Sequence, residues 1–413
     1  MKQTPREFAV EVARRLQEAG FEALWAGGCV RDQLLGSEPK DYDVATSATP
    51  DQIRELFGRK RTLAIGAAFG VITVLGPKSA GNVEVATFRQ DAEYSDGRHP
   101  DAVRFSTSEM DAQRRDFTIN GVFFDPIAEQ VIDYVNGQQD LRQQVVRAIG
   151  RPELRIAEDK LRMLRAVRFA ATLEFQLEQQ TLQTIREHAP EIHVVSAERI
   201  AGELHRMLVH PTRRRAVELL GESGLLTEIL PVTQSLQDDT SQMDQTMSRL
   251  EQLSQPTLAV VLAVLLEAVI QPGDMVTLCR NLRLSNETAS TAEWILQSSP
   301  LLAQADRLPW STVQPLLVDS RINQALQFVE ARKLEPGFST APGEFCRRQL
   351  QRPATELNPP MLVTGDDLRE HGFQPGPDFA STLREIRRAQ LDQEISSADE
   401  AMQIAQHLLA RPE

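Results

Sequence analysis

The sequence predicts an α+β fold, in which an N-terminal mixed sheet flanked by helices is followed by an all-helical remainder. Three observations carry this prediction. Alternating or apolar segments predict strands at 23–26, 61–65, 70–75 and 82–88. Apolar residues at helical spacing predict a helix at 8–19, and Thr49 with Pro50 marks the start of another. Beyond residue 151 the helical pattern recurs without further strands.

Composition predicts an ordinary globular protein. The chain has 413 residues, of which 41% are hydrophobic and 25% are charged, and this length suggests two to four compact units. The longest apolar run, 258–270, is too short to span a membrane and contains Glu267. The first residues lead directly into an amphipathic helix, so we expect no signal peptide and a cytoplasmic protein. Cys29, Cys279 and Cys346 are far apart in sequence and are expected to be reduced thiols.

The charge is distributed unevenly along the chain. The formal net charge is −13, which by itself argues against a nucleic-acid partner. Residues 142–168, however, hold eight cations against three acids, and four more arginines follow between 206 and 215. This basic strip could bind an RNA stem. Solvated helix faces are the ordinary alternative.

A glycine pair follows the first predicted strand. The strand at 23–26 leads into Gly27 and Gly28, and a helix closed by Gly36 follows. Glycines let a ligand approach the backbone closely, and the free N–H groups at a helix start favour an anion. Arg31, in the first turn, could contact the same phosphate. We interpret Gly27, Gly28 and Arg31 as a triphosphate-binding turn, with a plain strand-to-helix turn as the alternative.

Asp41 and Asp43 form a carboxylate pair shortly after this turn. Alternate side chains of a strand share a face, so the two acids project together while Tyr42 and Val44 face a core. Two close carboxylates repel each other unless a cation lies between them, and oxygen ligands suit Mg²⁺. With the glycine turn, the pair is the arrangement that two-metal nucleotidyl transfer requires. Glu84, on the polar side of a later strand, is a candidate third ligand; solvated acids are the alternative.

A polar segment at 114–120 joins a predicted helix end to a strand. Arg114 and Arg115 supply cations for a triphosphate, and Asp116 and Asn120 supply polar groups that could contact a ribose hydroxyl. A capping aspartate beside two solvated arginines is the alternative for this segment in isolation.

Residues 151–171 are predicted to form one helix. Asp159 and Arg162, three residues apart, would then share a face, with Glu158 and Arg165 beside them. A carboxylate next to a guanidinium matches the donor and acceptor of cytosine and adenine, whereas uracil and guanine present the reverse pattern. Such a pair could accept CTP and ATP and reject UTP and GTP, because wrong bases leave buried polar groups unpaired. An exposed salt bridge is the alternative.

Several of these motifs together resemble one known family. The motifs are GGCVRD, LLG and DYD, then RRDFTINGVFFD at 114–125 and AEDKLRMLRAVRFA at 157–170, with a weaker match at LVTGDDLREHGFQPGP. In this order they resemble the class II tRNA nucleotidyltransferase and bacterial poly(A) polymerase family. The resemblance implies a nucleotidyltransferase head at 1–150, a helical neck with a nucleotide-templating motif at 151–230, a helical body at 231–355 and a tRNA-binding tail at 356–413.

The resemblance also implies roles for further residues. Asp96 and Arg98 lie in a polar segment, 89–104, that would be a mobile loop, and in the CCA-adding branch a loop at this position takes part in the switch from C to A addition. Glu198 and Arg199 match a motif that supports the templating helix. The segment at 65–74 is similar to the tRNA-repair branch, because poly(A) polymerases typically carry a basic sequence there.

The sequence therefore predicts an enzyme that builds CCA on the 3′ end of tRNA from CTP and ATP, without a nucleic-acid template. Asp41 and Asp43 would be the catalytic residues and would bind two Mg²⁺ ions. We expect no membrane association and no stable protein partner. An A-adding tRNA nucleotidyltransferase or a bacterial poly(A) polymerase is the alternative enzyme, and a catalytically silent RNA-binding protein is the alternative from another class.

Overall fold

The computed structural model describes residues 3–91 and 103–409. They form two compact units, Met1–Thr233 and Gln234–Glu413. The first unit combines a mixed sheet with helices, and the second is all-helical in its described part. The predicted α+β fold with a helical C-terminal region is therefore confirmed. The predicted domain boundaries after residues 150, 230 and 355 stay predictions.

The first unit contains both strands and helices up to residue 146 and is mainly helical beyond it. In chain order they are α1 (Pro5–Glu18), β1 (Ala23–Ala26), α2 (Gly28–Leu34), β2 (Asp43–Thr46), α3 (Pro50–Phe57), β3 (Thr62–Leu63), β4 (Val71–Leu75), β5 (Asn82–Thr87), β6 (Arg89–Asp91), β7 (Val103–Phe105), α4 (Ser108–Gln113), β8 (Val122–Asp125), β9 (Gln130–Asp133), α5 (Gly137–Gln143), β10 (Val145–Val146), α6 (Pro152–Glu158), α7 (Leu161–Thr172), β11 (Gln176–Leu177), α8 (Gln179–His188), α9 (Ala197–Leu208), α10 (Arg213–Glu222) and α11 (Leu225–Ile229). Short 3₁₀ turns lie at Arg59–Arg61, Ala67–Phe69, Thr118–Asn120, Ala189–Val194 and Pro231–Thr233.

The main sheet has seven strands in the order β3-β4-β5-β2-β1-β8-β9. Strands β2 and β5 are parallel, and the other neighbours are antiparallel. Leu63 is opposite Thr73, Thr73 is opposite Glu84, and Glu84 is opposite Asp43. Because directly opposed residues project to the same side of a sheet, these four side chains form one row across it.

Apolar side chains cover the opposite side of this row. Helices α1 and α3 pack there through residues such as Phe8, Leu16 and Ile53, against Val44 and Val85 from the strands. Thr49 and Gln52 form a capping box at the start of α3, as the Thr49–Pro50 pattern predicts. A second, smaller core on the carboxylate side lies around β1, β8 and the middle of β2.

The second unit consists of helices in the part that the structure describes. They are α12 (Gln234–Asp238), α13 (Thr240–Gln252), α14 (Leu258–Leu266), α15 (Pro272–Asn281), α16 (Asn286–Leu302), α17 (Trp310–Leu317), α18 (Ile322–Glu330), α19 (Ala341–Leu350), α20 (Ala354–Leu357), α21 (Gly365–Glu370), α22 (Pro377–Leu391) and α23 (Ala398–Leu409). Every residue of α14 is buried, so the longest apolar run is a core helix. Over the described ranges, no helix is long and apolar enough to cross a membrane.

The prediction of a loop over the whole of 89–104 is wrong at both ends. Strand β6 pairs with β7, with Arg89 opposite Phe105. Val103 and Phe105 are residue types that favour strands, and they provide the partner backbone. Residues 92–102, including Asp96 and Arg98, lie outside the described residues, so the role proposed for those two side chains stays a prediction.

The start of α5 requires a glycine for packing reasons. A Cβ added at Gly137 would lie 2.2 Å from the carbonyl oxygen of Thr118 and 2.4 Å from Cγ2 of Val122. Backbone atoms of a packed segment cannot move away without shifting the 3₁₀ turn that precedes β8. We therefore predict that Gly137→Ala destabilises the first unit by about 1–3 kcal/mol.

Gly202 provides the matched control, because a Cβ there has no heavy atom within 4 Å. It lies inside α9, so Gly202→Ala should stabilise the protein by about 0.5–1 kcal/mol. Urea unfolding followed by the fluorescence of Trp25, with Trp294 and Trp310 replaced by Phe, reports on the first unit alone. Equal unfolding midpoints for the two glycine variants would contradict the packing argument.

Candidate active site

The glycine turn between β1 and α2 contacts the predicted triphosphate residues. Gly27 has φ 73° and ψ −130°, a conformation that favours glycine. A Cβ at Gly27 would lie 3.3 Å from Nη1 of Arg115, and one at Gly28 would lie 3.8 Å from Nη2 of Arg31. Arg31 also donates a hydrogen bond of 2.9 Å from Nη1 to Oδ1 of Asn120. The fold therefore brings together two segments that are almost ninety residues apart in sequence.

A buried carboxylate that the sequence analysis did not identify holds both arginines of the 114–120 segment. Asp111, on α4, is 1% exposed. It accepts from Nε of Arg114 at 2.8 Å and from Nη2 of Arg115 at 2.9 Å. Burial by itself would raise the pKa of Asp111, but the charges of Arg115 and Arg114 outweigh burial and lower it. Spacing alone gave no sufficient signal for this pairing, because Arg114 and Arg115 lie just beyond the end of α4 and the contact depends on the burial of Asp111.

Asp43 lies at the start of β2, opposite Glu84 on β5. Its neighbours Tyr42 and Val44 are buried, as the alternation predicts, whereas Asp41, Asp43 and Glu84 are exposed. Asp41 precedes the first residue of β2, so the carboxylate pair spans the strand's entry instead of lying wholly within it. Although the Asp43 side chain is accessible to solvent, the protein atoms around it partly desolvate its carboxylate. This desolvation, followed by the negative charges of Glu84 and Asp41, raises the pKa of Asp43 to about 6, against the opposing effect of Arg115.

The donor set around Asp43 suits a divalent cation. Carboxylate oxygens are hard ligands, and the raised pKa of Asp43 means that its negative charge lacks sufficient compensation from the protein. Among the described residues, no three His, Cys, Asp or Glu side chains are already grouped closely enough to hold a metal ion. The assignments of Asp41 and Asp43 as a metal-binding pair, and of Glu84 as a third ligand, stay predictions.

The prediction of a single helix over 151–171 is wrong. Helix α6 ends at Glu158, Asp159 is extended with φ −149° and ψ 107°, and α7 begins at Leu161. The carboxylate of Asp159 accepts a hydrogen bond from the Leu161 N–H at 3.0 Å. Aspartate side chains compete with helical hydrogen bonds in this way and favour helix starts over helix interiors.

The break changes the partners of the predicted base-selecting residues. Asp159 does not pair with Arg162; it accepts from Nη2 of Arg199 at 2.6 Å. Arg162 instead donates from Nη1 to Glu158 at 2.6 Å, and from Nη2 to the carbonyl oxygen of Arg114 at 3.1 Å. Asp159 and Arg162 therefore have separate partners, and the second of those contacts places Arg162 against the 114–120 segment.

Arg165 connects α7 to the same segment. It donates from Nε and Nη2 to Oδ2 of Asp116, at 2.8 and 2.5 Å. The other oxygen of Asp116 accepts from the Phe117 N–H and from Nδ2 of Asn120. Burial alone would raise the pKa of Asp116, but the charge of Arg165 and these hydrogen bonds lower it. Asp116 thus fixes Arg165 and Asn120, instead of being free to contact a ribose through both oxygens.

Three arginines surround one aromatic ring beside this ion pair. The guanidinium carbons of Arg31, Arg165 and Arg168 lie 5.2, 5.3 and 4.0 Å from the ring centroid of Phe169. Such cation–π contacts orient guanidinium groups without neutralising them. Arg31 from the head and Arg165 from α7 are therefore held by one side chain.

Helix α9 supports α7 through charged contacts. Arg199 holds Asp159, and Glu203, which is 2% exposed, accepts from Nε of Arg168 at 2.5 Å. Glu198 is exposed in the first turn of α9. The geometry is compatible with the supporting role predicted for Arg199, and the role of Glu198 stays a prediction.

Comparison with known proteins gives consistent matches over the whole chain. Residues 23–147 match the family described as Poly A polymerase head domain, and residues 174–236 match a probable RNA- and SrmB-binding site of polymerase A. The CCA-adding enzyme of Streptococcus sanguinis is 34% identical over 396 residues, which are 94% of this chain and 94% of that protein. That of Lactobacillus helveticus is 30% identical over 399 residues, covering 96% and 95%.

Solved structures agree with these sequence matches. The Bacillus stearothermophilus CCA-adding enzyme in complex with CTP is 27% identical, with a TM-score of 0.80 and 98% of each chain covered. The Thermotoga maritima CCA-adding enzyme complexed with tRNA(CCA) shares the fold, with a TM-score of 0.67 at 20% identity over 97% of this chain and 95% of that one.

The chain thus aligns with these enzymes almost from end to end. It has a sheet with paired carboxylates, an arginine-rich segment beside that sheet and helices bonded to the segment. The chain belongs to the CCA-adding enzymes, the tRNA nucleotidyltransferases of the tRNA nucleotidyltransferase and poly(A) polymerase family.

Proposed function

We propose that this protein adds C, C and A to the 3′ end of tRNA from CTP and ATP, without a nucleic-acid template, and releases pyrophosphate at each step. The observation that carries the proposal is a convergence within the first unit. Asp43 lies within electrostatic reach of Arg115, Arg115 lies against Gly27, and the carbonyl of Arg114 is bonded to Arg162. Carboxylates, triphosphate cations and base-selecting candidates are therefore neighbours.

The family depends on divalent metal ions for nucleotidyl transfer. We propose that the ions are two Mg²⁺, held by Asp41 and Asp43, with Glu84 adjacent. When bound, they would lower the pKa of the RNA 3′-hydroxyl and neutralise charge on the triphosphate and the leaving pyrophosphate. The raised pKa of Asp43 supports this assignment, because the carboxylates are arranged for a positive charge that the protein itself does not supply.

The arginines at the glycine turn would bind the triphosphate. Arg31 and Arg115 flank the glycine turn, and Asp111 fixes Arg114 and Arg115 before a nucleotide arrives. Holding the cations in place reduces the conformational entropy that nucleotide binding would otherwise cost. Asn120, which is bonded to Arg31 and Asp116, is the residue that we propose for the ribose contact.

Base selection would use Asp159 and Arg162 as separately anchored groups. An ionised carboxylate offers about four acceptor sites, and the Arg199 and Leu161 contacts occupy two of those of Asp159. Arg162 makes three hydrogen bonds to protein acceptors, whereas a guanidinium has five N–H donors. An acceptor and a donor therefore remain for the Watson–Crick edge of cytosine or adenine, and Arg165 lies one turn further along α7.

We further propose that the protein acts in the cytoplasm as an enzyme without a stable protein partner. The discriminating experiment uses a tRNA transcript that lacks its last three nucleotides, incubated with Mg²⁺ and CTP, ATP or both, and analysed on a sequencing gel. We expect growth by two nucleotides with CTP alone and by three with both. Extension by ATP only of RNA that already ends in CC, or of unrelated RNA, would instead indicate an A-adding enzyme or a poly(A) polymerase. The same result would contradict the interpretation of segment 65–74.

Replacing either catalytic carboxylate tests the metal assignment. Asp41→Asn and Asp43→Asn should each lower kcat by about 10³-fold or more, because both reacting oxygens lose metal-mediated charge stabilisation. Since the pKa of Asp43 is raised in the folded state, its charge disfavours folding, so Asp43→Asn should leave the melting temperature unchanged or higher. Asp51→Asn, at an exposed position on α3, is the matched control. Activity retained by the Asp43 variant would exclude it as a metal ligand.

Arg199 tests the positioning of Asp159. Arg199→Ala should relax selection, so that UTP and GTP are incorporated about tenfold more efficiently relative to CTP and ATP, because Asp159 loses the partner that orients it. Arg186→Ala removes an arginine of α8 that is bonded to the carbonyl of Glu222, and it should leave selection unchanged. Competition between the four nucleotides on one tRNA measures the ratio. Equal ratios in both variants would show that Asp159 needs no support from Arg199.

A further inference from the structure

An uncovered surface extends from the catalytic carboxylates to the edge of the sheet. The row Asp43, Glu84, Thr73 and Leu63 crosses β2, β5, β4 and β3, and β3 is the edge strand. Glu84 and Leu63 are exposed and Thr73 is half-buried, so this side of the row carries no continuous protein layer among the described residues. The three strand spacings from Asp43 to Leu63 amount to roughly 14 Å.

Three consecutive cations stand at the end of this row. Arg59, Lys60 and Arg61 form the turn before β3, and all three are exposed. Their side chains make no hydrogen bond or ion pair with any other residue that the structure describes, although the chain as a whole carries a net charge of −13. Arg61 directly precedes β3, in which Leu63 projects to the same side of the sheet as Asp43.

Large apolar side chains accompany these cations. Leu63 is 41%, Ile65 89% and Phe105 51% exposed. Phe105 lies 3.6 Å from the Cβ position of Gly70, at the start of β4, and the carbonyl of Gly66, next to Ile65, accepts from the N–H of Val71 on the same strand. The apolar side chains therefore flank one end of β4. We call Arg59, Lys60, Arg61, Leu63, Ile65 and Phe105 the edge surface.

We propose that the edge surface binds the single-stranded segment of the RNA directly 5′ of the reacting 3′-hydroxyl. This assignment rests on the proposed function, because that function requires an RNA 3′-hydroxyl at Asp41 and Asp43. Backbone phosphates would contact the three cations, and unpaired bases would stack on Phe105, Ile65 and Leu63. Unpaired cations next to exposed aromatic and aliphatic side chains are the features with which proteins hold single strands.

Distance separates this site from the nucleotide site. Arg31 and Arg115 lie at the glycine turn beside β1, whereas the edge surface begins three strands away on the other side of Asp43. The edge cations lie beside Leu63, which is roughly 14 Å across the sheet from Asp43 on the side away from those arginines, so they form a separate group of cations. The edge cations therefore fit the phosphates of a second polyanion that also reaches the carboxylates. That polyanion is the growing RNA strand.

A protein partner fits the edge surface less well. Lysine is depleted in protein interfaces, and burying a lysine or arginine without a partner charge is unfavourable. Phosphate contacts leave the cations at the surface and gain from the release of counterions. The open row also leads directly to the catalytic carboxylates, and a protein partner bound along it would block RNA access.

Matched double variants provide the test. Lys60→Gln/Arg61→Gln and Arg14→Gln/Lys78→Gln each remove one lysine and one arginine from exposed positions of the first unit. Arg14 lies on α1, which packs on the opposite side of the sheet, and Lys78 lies in the turn between β4 and β5. Fluorescence anisotropy would measure binding of an RNA minihelix with an unpaired 3′ segment and of the same minihelix with a blunt end.

We expect the Lys60/Arg61 variant to bind the minihelix with the unpaired segment about 3- to 10-fold more weakly, with a shallower salt dependence, and the Arg14/Lys78 variant to match wild type. The blunt minihelix should lose less affinity. In the addition assay, the KM for tRNA should rise while the KM for CTP keeps its wild-type value. Phe105→Ala should weaken binding about 5-fold or more, and Phe105→Trp should restore it.

Three results would overturn the proposal. The first is equal affinity of both double variants for the unpaired segment. The second is an equal loss for blunt and unpaired minihelices, which would assign the edge surface to duplex RNA. The third is unchanged RNA binding with lost self-association in sedimentation, which would assign it to a protein contact. The anisotropy measurement needs no catalysis, so failure of wild-type protein to add CCA would refute the proposed function separately.

Discussion

The ion pair between Asp116 and Arg165 is the interaction on which the rest of the site depends. Asp116 belongs to the segment that joins α4 to β8, and Arg165 belongs to α7, so one buried contact connects the catalytic sheet to the helical neck. The same carboxylate orients Asn120, which in turn is bonded to Arg31 at the glycine turn. Asp116 is buried, so removing Arg165 would leave its charge uncompensated, which makes this connection costly to distort.

Carboxylates of one chemical type have opposite roles here because their neighbours differ. Asp111 and Asp116 are buried against arginines that lower their pKa values, and they act as fixed anchors for cations. Asp43 lies beside Glu84 and Asp41, and burial together with their charges raises its pKa to about 6. The charges of Asp111 and Asp116 are compensated within the protein, whereas the charge of Asp43 is not, which supports the proposal that Asp43 binds a metal ion.

The same arrangement explains how an acidic protein can handle a polyanion. A net charge of −13 opposes RNA binding at long range, but salt screens such interactions beyond about 8–10 Å. The charge close to the binding surface then decides whether RNA binds there. Two positive regions differ in their surroundings. The arginines around Phe169 are held by acids and by that aromatic ring, whereas the three cations before β3 are exposed. We infer that the first serves the nucleotide and the second the RNA.

The sequence by itself determined the fold class, the strand at Ala23–Ala26, the start of α3 and the opposed burial of Tyr42 and Asp43, because residue periodicity, capping and turn chemistry are local. The order of the family motifs along the chain also indicated which residues come together in the site. Only the tertiary structure decided their partners. Asp159 and Arg162 are three residues apart, yet a helix break separates them and each bonds to a segment about forty residues or more away. Asp111 escaped notice because its importance comes from burial, which depends on packing across the whole unit and cannot be read from spacing alone.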